Sequence, residues 1–209
     1  AGVRLKPSKC KFGVTEVFYL GHVVSGQTVR MSDERKEIFG RVEKPSTVTK
    51  LRSFLGTANY FREHVAHFAE LAAPLYDMMA DKDKKEELDW NEQLDKQFVI
   101  LRQAVLEAPT LYHLQRDGET ILYTDASNVA LGGFLTQIQD GIERPIVFLS
   151  RKLSDAETRY STIEKEMLAM YFSIKSAHIY LSGRKFIVRS DHKPLLQQFQ
   201  RSENNRVER

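Results

Sequence analysis

The chain is 209 residues long, 42% hydrophobic and 28% charged, with a formal net charge of +3. It has enough apolar material for a real core and room for one large or two small domains, but too little bulk charge to argue nucleic-acid binding by itself. No run approaches the ~20 apolar residues that span a bilayer, the N-terminus AGVRLKPSKCKF lacks an apolar targeting core, and the single Cys10 excludes an internal disulfide or a multi-cysteine zinc site. The expectation is a soluble intracellular protein without a membrane partner, in a reducing compartment.

In chain order, residues 16 to 31, EVFYLGHVVSGQTVRM, are rich in Val, Phe and Tyr and predict two strands joined at Ser25-Gly26, a hairpin. A short charged segment, SDERKEIFGRVEKP, leads to Pro45. Val48, Leu51, Leu55 and Ala58 then recur at helical spacing behind Thr47 as N-cap, which predicts a helix ending near His64. A second helical segment covers AELAAPLYDMM, with Pro74 in a first turn or at a kink. The mostly polar and charged stretch ADKDKKEELDWN, from which Trp90 stands out, reads as a linker and domain boundary. From Asn91, the spacing of Leu94, Phe98, Leu101 and Val105 predicts a helix that stops before Pro109 and could belong to either side.

Beyond residue 118 the period changes. TILYTDA, ALGGFLTQI and RPIVFLSRK read as an antiparallel meander with Asp140-Gly141 as the second turn. A helix follows from about Ser161 to Ala177, then KFIVRSD as a fourth strand and KPLLQQF as a helix start. The order is βββαβ, an α/β arrangement. Basic residues crowd the N-terminus (Arg4, Lys6, Lys9, Lys11) and dot the second half (Arg151, Lys152, Arg184, Lys185, Arg189, Lys193), so local basic surfaces or an ordinary solvated face are both open.

Asp125 ends the first of these strands, Glu166 sits inside the helix and Asp191 ends the fourth strand. A carboxylate at the edge of a buried run is costly unless paired or metal-bound. Taken singly, Asp125 and Asp191 also suit strand-end caps, and Glu166 suits an ion pair with Lys165 or Lys193. Taken together, the three acids suggest one shared cation site that only the fold could assemble.

The phrases YTDAS, LGGFLTQ, RPIVFLSRKL, YSTIEKEMLAM and VRSDHKPL together resemble the RNase H domain of reverse transcriptases from gypsy-type retrotransposons and related retroelements. Upstream, KPSKCKFGVTEVFYLGHVVS resembles the end of the palm with its primer-grip hairpin, and LRSFLGTANYFREHVAHFAELAAPL resembles the thumb. The resemblance implies an RNase H-like mixed sheet with helices, preceded by a β-hairpin and a helical thumb. It divides the chain into a palm remnant at 1–44, thumb helices at 45–89, a connecting helix at 90–109 and an RNase H-like domain at 110–209.

It further implies that Asp125, Glu166 and Asp191 are carboxylates of a catalytic metal site. Glu164 competes for the middle role. The family's E-x-x-A pattern selects Glu166 of EMLAM, leaving Glu164 for solvent. Such acids hold two Mg²⁺ ions, with Mn²⁺ as the substitute, about 4 Å apart, so that one activates water and the other receives the leaving 3′ oxygen of a phosphodiester.

The implied substrate is the RNA strand of an RNA–DNA hybrid, read through phosphates and 2′-hydroxyls. Ser127, Arg151, Ser161, Thr162 and Lys193 are candidate contacts near the acids, and Tyr19 and His22 are candidates at a primer terminus. The family's paired polymerase aspartates do not precede KPSKCKF, and its further strand and helix with a fourth ligating aspartate do not follow NNRVER. The expectation is therefore an incomplete domain, slow or inactive alone and completed by the rest of a polyprotein or another chain, in the cytoplasm or a virus-like particle. A catalytically silent retroelement remnant serving as a scaffold or RNA-binding component is the alternative.

Overall fold

The computed structural model describes residues 6, 7 and 10–191. The predicted helix start at KPLLQQF and the residues Arg4, Lys9 and Lys193 lie outside the described residues. Among the described residues, no helix is long and apolar enough to cross a membrane.

The first sheet is antiparallel, in the order β1 (Glu16–Tyr19), β2 (His22–Ser25), β3 (Thr28–Met31) and β4 (Leu111–Tyr112). The two-strand hairpin expected over 16–31 is thus a three-strand meander. Its extra turn falls at Leu20-Gly21, both with positive φ (49° and 84°), the geometry of a two-residue turn whose twist matches right-twisted strands. A leucine in that position hides the turn from a sequence reading. The charged segment after it is also more ordered than expected: Ser32 accepts from Arg35 N and caps α1 (Asp33–Gly40), which buries Phe39.

Helices α1, α2 (Val48–Tyr60), α3 (Phe68–Asp77) and α4 (Glu92–Leu106) enclose one apolar cluster in which Phe39, Leu51, Phe54, Leu55, Phe68, Leu75, Phe98 and Leu101 are buried. Thr47 caps α2 as the spacing predicts, accepting from Lys50 N, and Asn91 caps α4, accepting from Leu94 N. Helix α4 packs with this cluster. The stretch expected to be a linker is packed as well. The carbonyls of Glu86 and Lys84 accept from Val48 N and Thr49 N, the otherwise unpaired amides at the start of α2. Leu88 is buried, and the Trp90 indole donates to Pro45 O at 2.7 Å. Its charged side chains face out while its backbone and two apolar side chains serve the helical core.

The second sheet has the order β7 (Ile142–Lys152), β6 (Ala130–Gln139), β5 (Thr120–Ala126) and β8 (Ile187–Arg189). The first three are the expected antiparallel meander, turning at Asp140-Gly141 with φ of 54° and 75°. Strand β8 pairs with β5 in parallel, after α5 (Thr162–Ser176) and the short α6 (His178–Leu181) have crossed over. The sheet is mixed, but among the described residues β8 is an edge strand and not a central one, and it ends two residues before Asp191. One face packs Leu122, Leu135 and Val147 with Ala177 and Leu181, and Leu131 with Ala169 of α5.

The helical body meets this sheet along β7. Arg62 donates to Ser150 O, Ala69 N donates to Ser150 Oγ at 3.0 Å, and Lys152 pairs with Asp77 at 2.5 Å. His64 Nδ1 lies 3.3 Å from Pro109 O.

Candidate metal centre

The β-branched and apolar alternation of TILYTDA makes β5 a strand whose last turns carry Asp125, paired in register with Gly132 of β6. Asp191 arrives beside it because β8 runs parallel to β5. Glu166 projects from α5, five residues after its cap. Ser161 accepts from Glu164 N, and the Glu164 carboxylate returns to Ser161 N at 2.8 Å, a reciprocal capping box. That engagement occupies the Glu164 carboxylate at the helix cap. Glu164 is exposed, and its carboxyl is held below its ordinary range by the Ser161 backbone and hydroxyl bonds. Glu166 is only 4% exposed.

One carboxylate oxygen from each of Asp125, Glu166 and Asp191 lies within 4.8 Å of the other two. Oxygens trans to one another on a single Mg²⁺ stand about 4.2 Å apart, and on Ca²⁺ about 5 Å. The donors are all hard oxygens, formally triply anionic, with no sulfur or imidazole among them, which suits a hard divalent cation and disfavours copper or zinc. Lys165 is itself buried, and its Nζ donates to Asn128 Oδ1 at 3.1 Å in the loop that follows Asp125.

The other candidate residues divide. Ser127 sits in the loop after β5, but its Oγ accepts from Val129 N (3.1 Å) and Ala130 N (3.0 Å), so it shapes the turn. Ser161 and Thr162 are exposed at the start of α5. Arg151 is occupied: its two terminal nitrogens reach both Glu157 oxygens at 2.7 and 3.1 Å, and its guanidinium lies over Phe172. The Arg151 bonds are the main reason that the Glu157 carboxyl falls to about 2. Tyr19 is 65% exposed on β1 of the other sheet, while His22 on β2 lies among Tyr60, Phe61 and His64, with ring centroids 5.0 to 5.4 Å away. Neither belongs to the acid cluster. Of the remaining basic residues, Arg184 is bonded to the Gln115 and Arg116 carbonyls and Arg189 to the Tyr123 hydroxyl at 3.0 Å.

On the sheet face opposite α5, Asp125 and Asp191 border a cavity of about 490 Å³. Tyr123 and Phe134 pair in register and lie 6.0 Å apart, and Phe134 stacks on Phe148 at 4.3 Å. Arg189 lies over Tyr123, and His67 closes the cavity from the helical body. The aromatic lining was legible as the period-2 partners of Asp125. His67, 58 residues before Asp125, gave no signal.

Residues 90–188 match the family model of an RNase H-like domain found in reverse transcriptase. The chain is 34% identical over 198 residues to a retrovirus-related Pol polyprotein from transposon 297 of Drosophila melanogaster, covering 93% of this chain and 18% of that protein. It is 29% identical to the transposon Tf2-3 polyprotein of Schizosaccharomyces pombe, covering 94% of this chain and 15% of that protein. The chain therefore spans about a fifth or less of these relatives. Among solved structures, a foamy viral protease-reverse transcriptase in complex with an RNA/DNA hybrid superposes with a TM-score of 0.71 at 22% identity, covering 85% of this chain and 24% of that one, a likeness of fold.

Proposed function

We propose that this chain, which carries the RNase H-like region of a retrotransposon reverse transcriptase, hydrolyses the RNA strand of RNA–DNA hybrids at the cluster of Asp125, Glu166 and Asp191. The observation that carries the reading is the convergence of three carboxylates from β5, α5 and the segment after β8, with oxygens within 4.8 Å. Three like charges that close repel one another strongly unless a cation or proton shares them.

The residues present fit a pair of Mg²⁺ ions, or Mn²⁺ in their place, with Asp125, Glu166 and Asp191 as ligands. Such ions, when bound, lower the pKa of the attacking water and stabilise the leaving 3′ oxygen. The chain's own part is orientation. The register of β5 on β6 fixes Asp125, and the capped first turn of α5 fixes Glu166. Burial of Glu166 keeps bulk water from competing for its oxygens.

Ser161, Thr162 and Lys193 are the proposed contacts to the hybrid near the acids, together with Ser127 and Arg151 once their present partners are counted as competitors. Tyr19 and His22 are proposed for a primer terminus. The thumb and palm divisions at 45–89 and 1–44 are part of the same proposal, as is completion of the site by the remainder of a polyprotein.

The test is cleavage of a labelled hybrid by a polypeptide that continues past Arg209, with Mg²⁺. Asp125→Asn, Glu166→Gln and Asp191→Asn each keep the side-chain size and remove a ligand charge, so each lowers the rate by orders of magnitude, whereas Glu164→Gln does not. A Glu166→Gln variant that cleaves as fast as the parent removes Glu166 from the site and ends the assignment.

A further inference from the structure

His67 stands at a place where a histidine is not the cheapest residue. Its backbone is left-handed (φ 53°, ψ 27°), a conformation that glycine or asparagine adopts with less strain. Its carbonyl accepts from both Glu70 N and Leu71 N at 3.0 Å, so the backbone opens α3 whatever the side chain is. The imidazole is not held by the helix. It is about half exposed, and its Nδ1 is 3.9 Å from Glu70 Oε2, too far for a hydrogen bond.

The ring instead reaches over the sheet. A methyl group built on Gly132 would stand 3.9 Å from His67 Nδ1 and 3.7 Å from the Asp125 carbonyl oxygen, so the imidazole approaches the sheet where Gly132 is paired with Asp125. His67, Asp125, Asp191 and Arg189 line one cavity. The approach is fixed from behind by the contacts of Arg62, Ala69 and Asp77 with β7.

We propose that His67 is a substrate-binding residue of the acid site, supplied by the helical body. Its imidazole N–H donates a hydrogen bond to a backbone phosphate of the hybrid lying along the cavity. The proposal rests on the hydrolytic reading for the identity of the substrate. Beyond the oxygens that would face the metal pair, a phosphate lying along this cavity needs a donor of its own, and the imidazole lines the cavity beside Asp125 and Asp191. Across the cavity the Arg189 guanidinium is already turned onto Tyr123 and its hydroxyl.

The measurement is the affinity of the 209-residue chain for a fluorescent RNA–DNA hybrid, by anisotropy, with Ca²⁺ present to leave the strand intact. His67→Gly removes the imidazole and relieves the left-handed backbone. It is expected to unfold at the same temperature as the parent or higher, to bind Mn²⁺ as the parent does, and to bind hybrid about tenfold more weakly, the effect of losing one bond to a charged oxygen. His67→Asn, which suits the backbone and keeps an N–H donor, is expected to retain affinity within about threefold.

A His67→Gly chain that binds hybrid like the parent overturns the proposal, as does a parent that binds no hybrid at all. A loss of affinity that tracks a fall in unfolding temperature in both variants also overturns it, in favour of a structural role. The hydrolytic reading fails separately. If the parent binds hybrid and the extended polypeptide does not cleave it, the enzyme assignment falls while the His67 contact is still decided by the affinities.

Discussion

Lys165 Nζ donates to Asn128 Oδ1 at 3.1 Å, joining α5 one residue before Glu166 to the loop three residues after Asp125. The bond crosses 37 positions of sequence and ties together the two elements that present the first two acids. A buried ammonium left without its acceptor costs more than an ammonium removed altogether.

Asn128→Ala is therefore expected to lose about 1–3 kcal/mol of stability, and Lys165→Met less, with the double variant close to Lys165→Met alone. Denaturant unfolding of the four proteins completes the cycle. Equal and additive losses would mean that the pair is not coupled. Mn²⁺ affinity, followed by spin resonance, is expected to fall in Asn128→Ala because the spacing of Asp125 and Glu166 is no longer held.

Two adjacent glycines on β6 are expected to behave oppositely. A Cβ on Gly133 would lie 2.4 Å from Ser173 Oγ and 2.8 Å from Ser173 Cβ, so α5 would have to move away from the sheet, whereas a Cβ on Gly132 meets only ordinary contacts at 3.7 and 3.9 Å. Gly133→Ala should destabilise by about 1–3 kcal/mol and Gly132→Ala by well under that. Ser173→Gly should recover part of the Gly133→Ala loss, less the ~1 kcal/mol that glycine costs inside a helix. Thermal unfolding of the single and double variants gives the comparison.

Acid should weaken the fold in two separate windows. His64 is 4% exposed beside His22, and burial lowers the pKa of both below the ordinary value of 6.5. The unfolded chain then takes up protons before the folded one does, so this contribution to stability is present above about pH 6.5 and lost as pH falls below it. The urea midpoint of the parent should drop between pH 7 and 5 more steeply than that of His64→Phe. Glu157, bonded to Arg151, titrates at about 2 against 4.5, so its contribution is complete above about pH 4.5 and disappears as pH falls toward 2. The stability difference between the parent and Glu157→Gln should be constant near neutrality and close to zero at pH 2. Parallel curves down to pH 2 would mean that the ion pair contributes nothing.

The sequence by itself determined the second half of the chain almost to its element boundaries. The reason is physical: β5, β6 and α5 are each specified by a local period and by local caps, such as the turn at Asp140-Gly141 and the capping box of Ser161 with Glu164. The acids were legible because each breaks an apolar pattern. What failed was whatever depends on groups distant in sequence. The turn at Leu20-Gly21 is held by the pairing of β1 with β2, against leucine's own preference. The charged stretch before Trp90 is ordered because its carbonyls accept amides from the start of α2, a service that no local pattern announces. Parallel pairing of β8 with β5 set Asp191 beside Asp125, and packing of α3 on β7 carried His67 to the same cavity. Local periodicity records which face of an element is apolar. Only the closed fold decides which elements those faces meet, and so which side chains share a site.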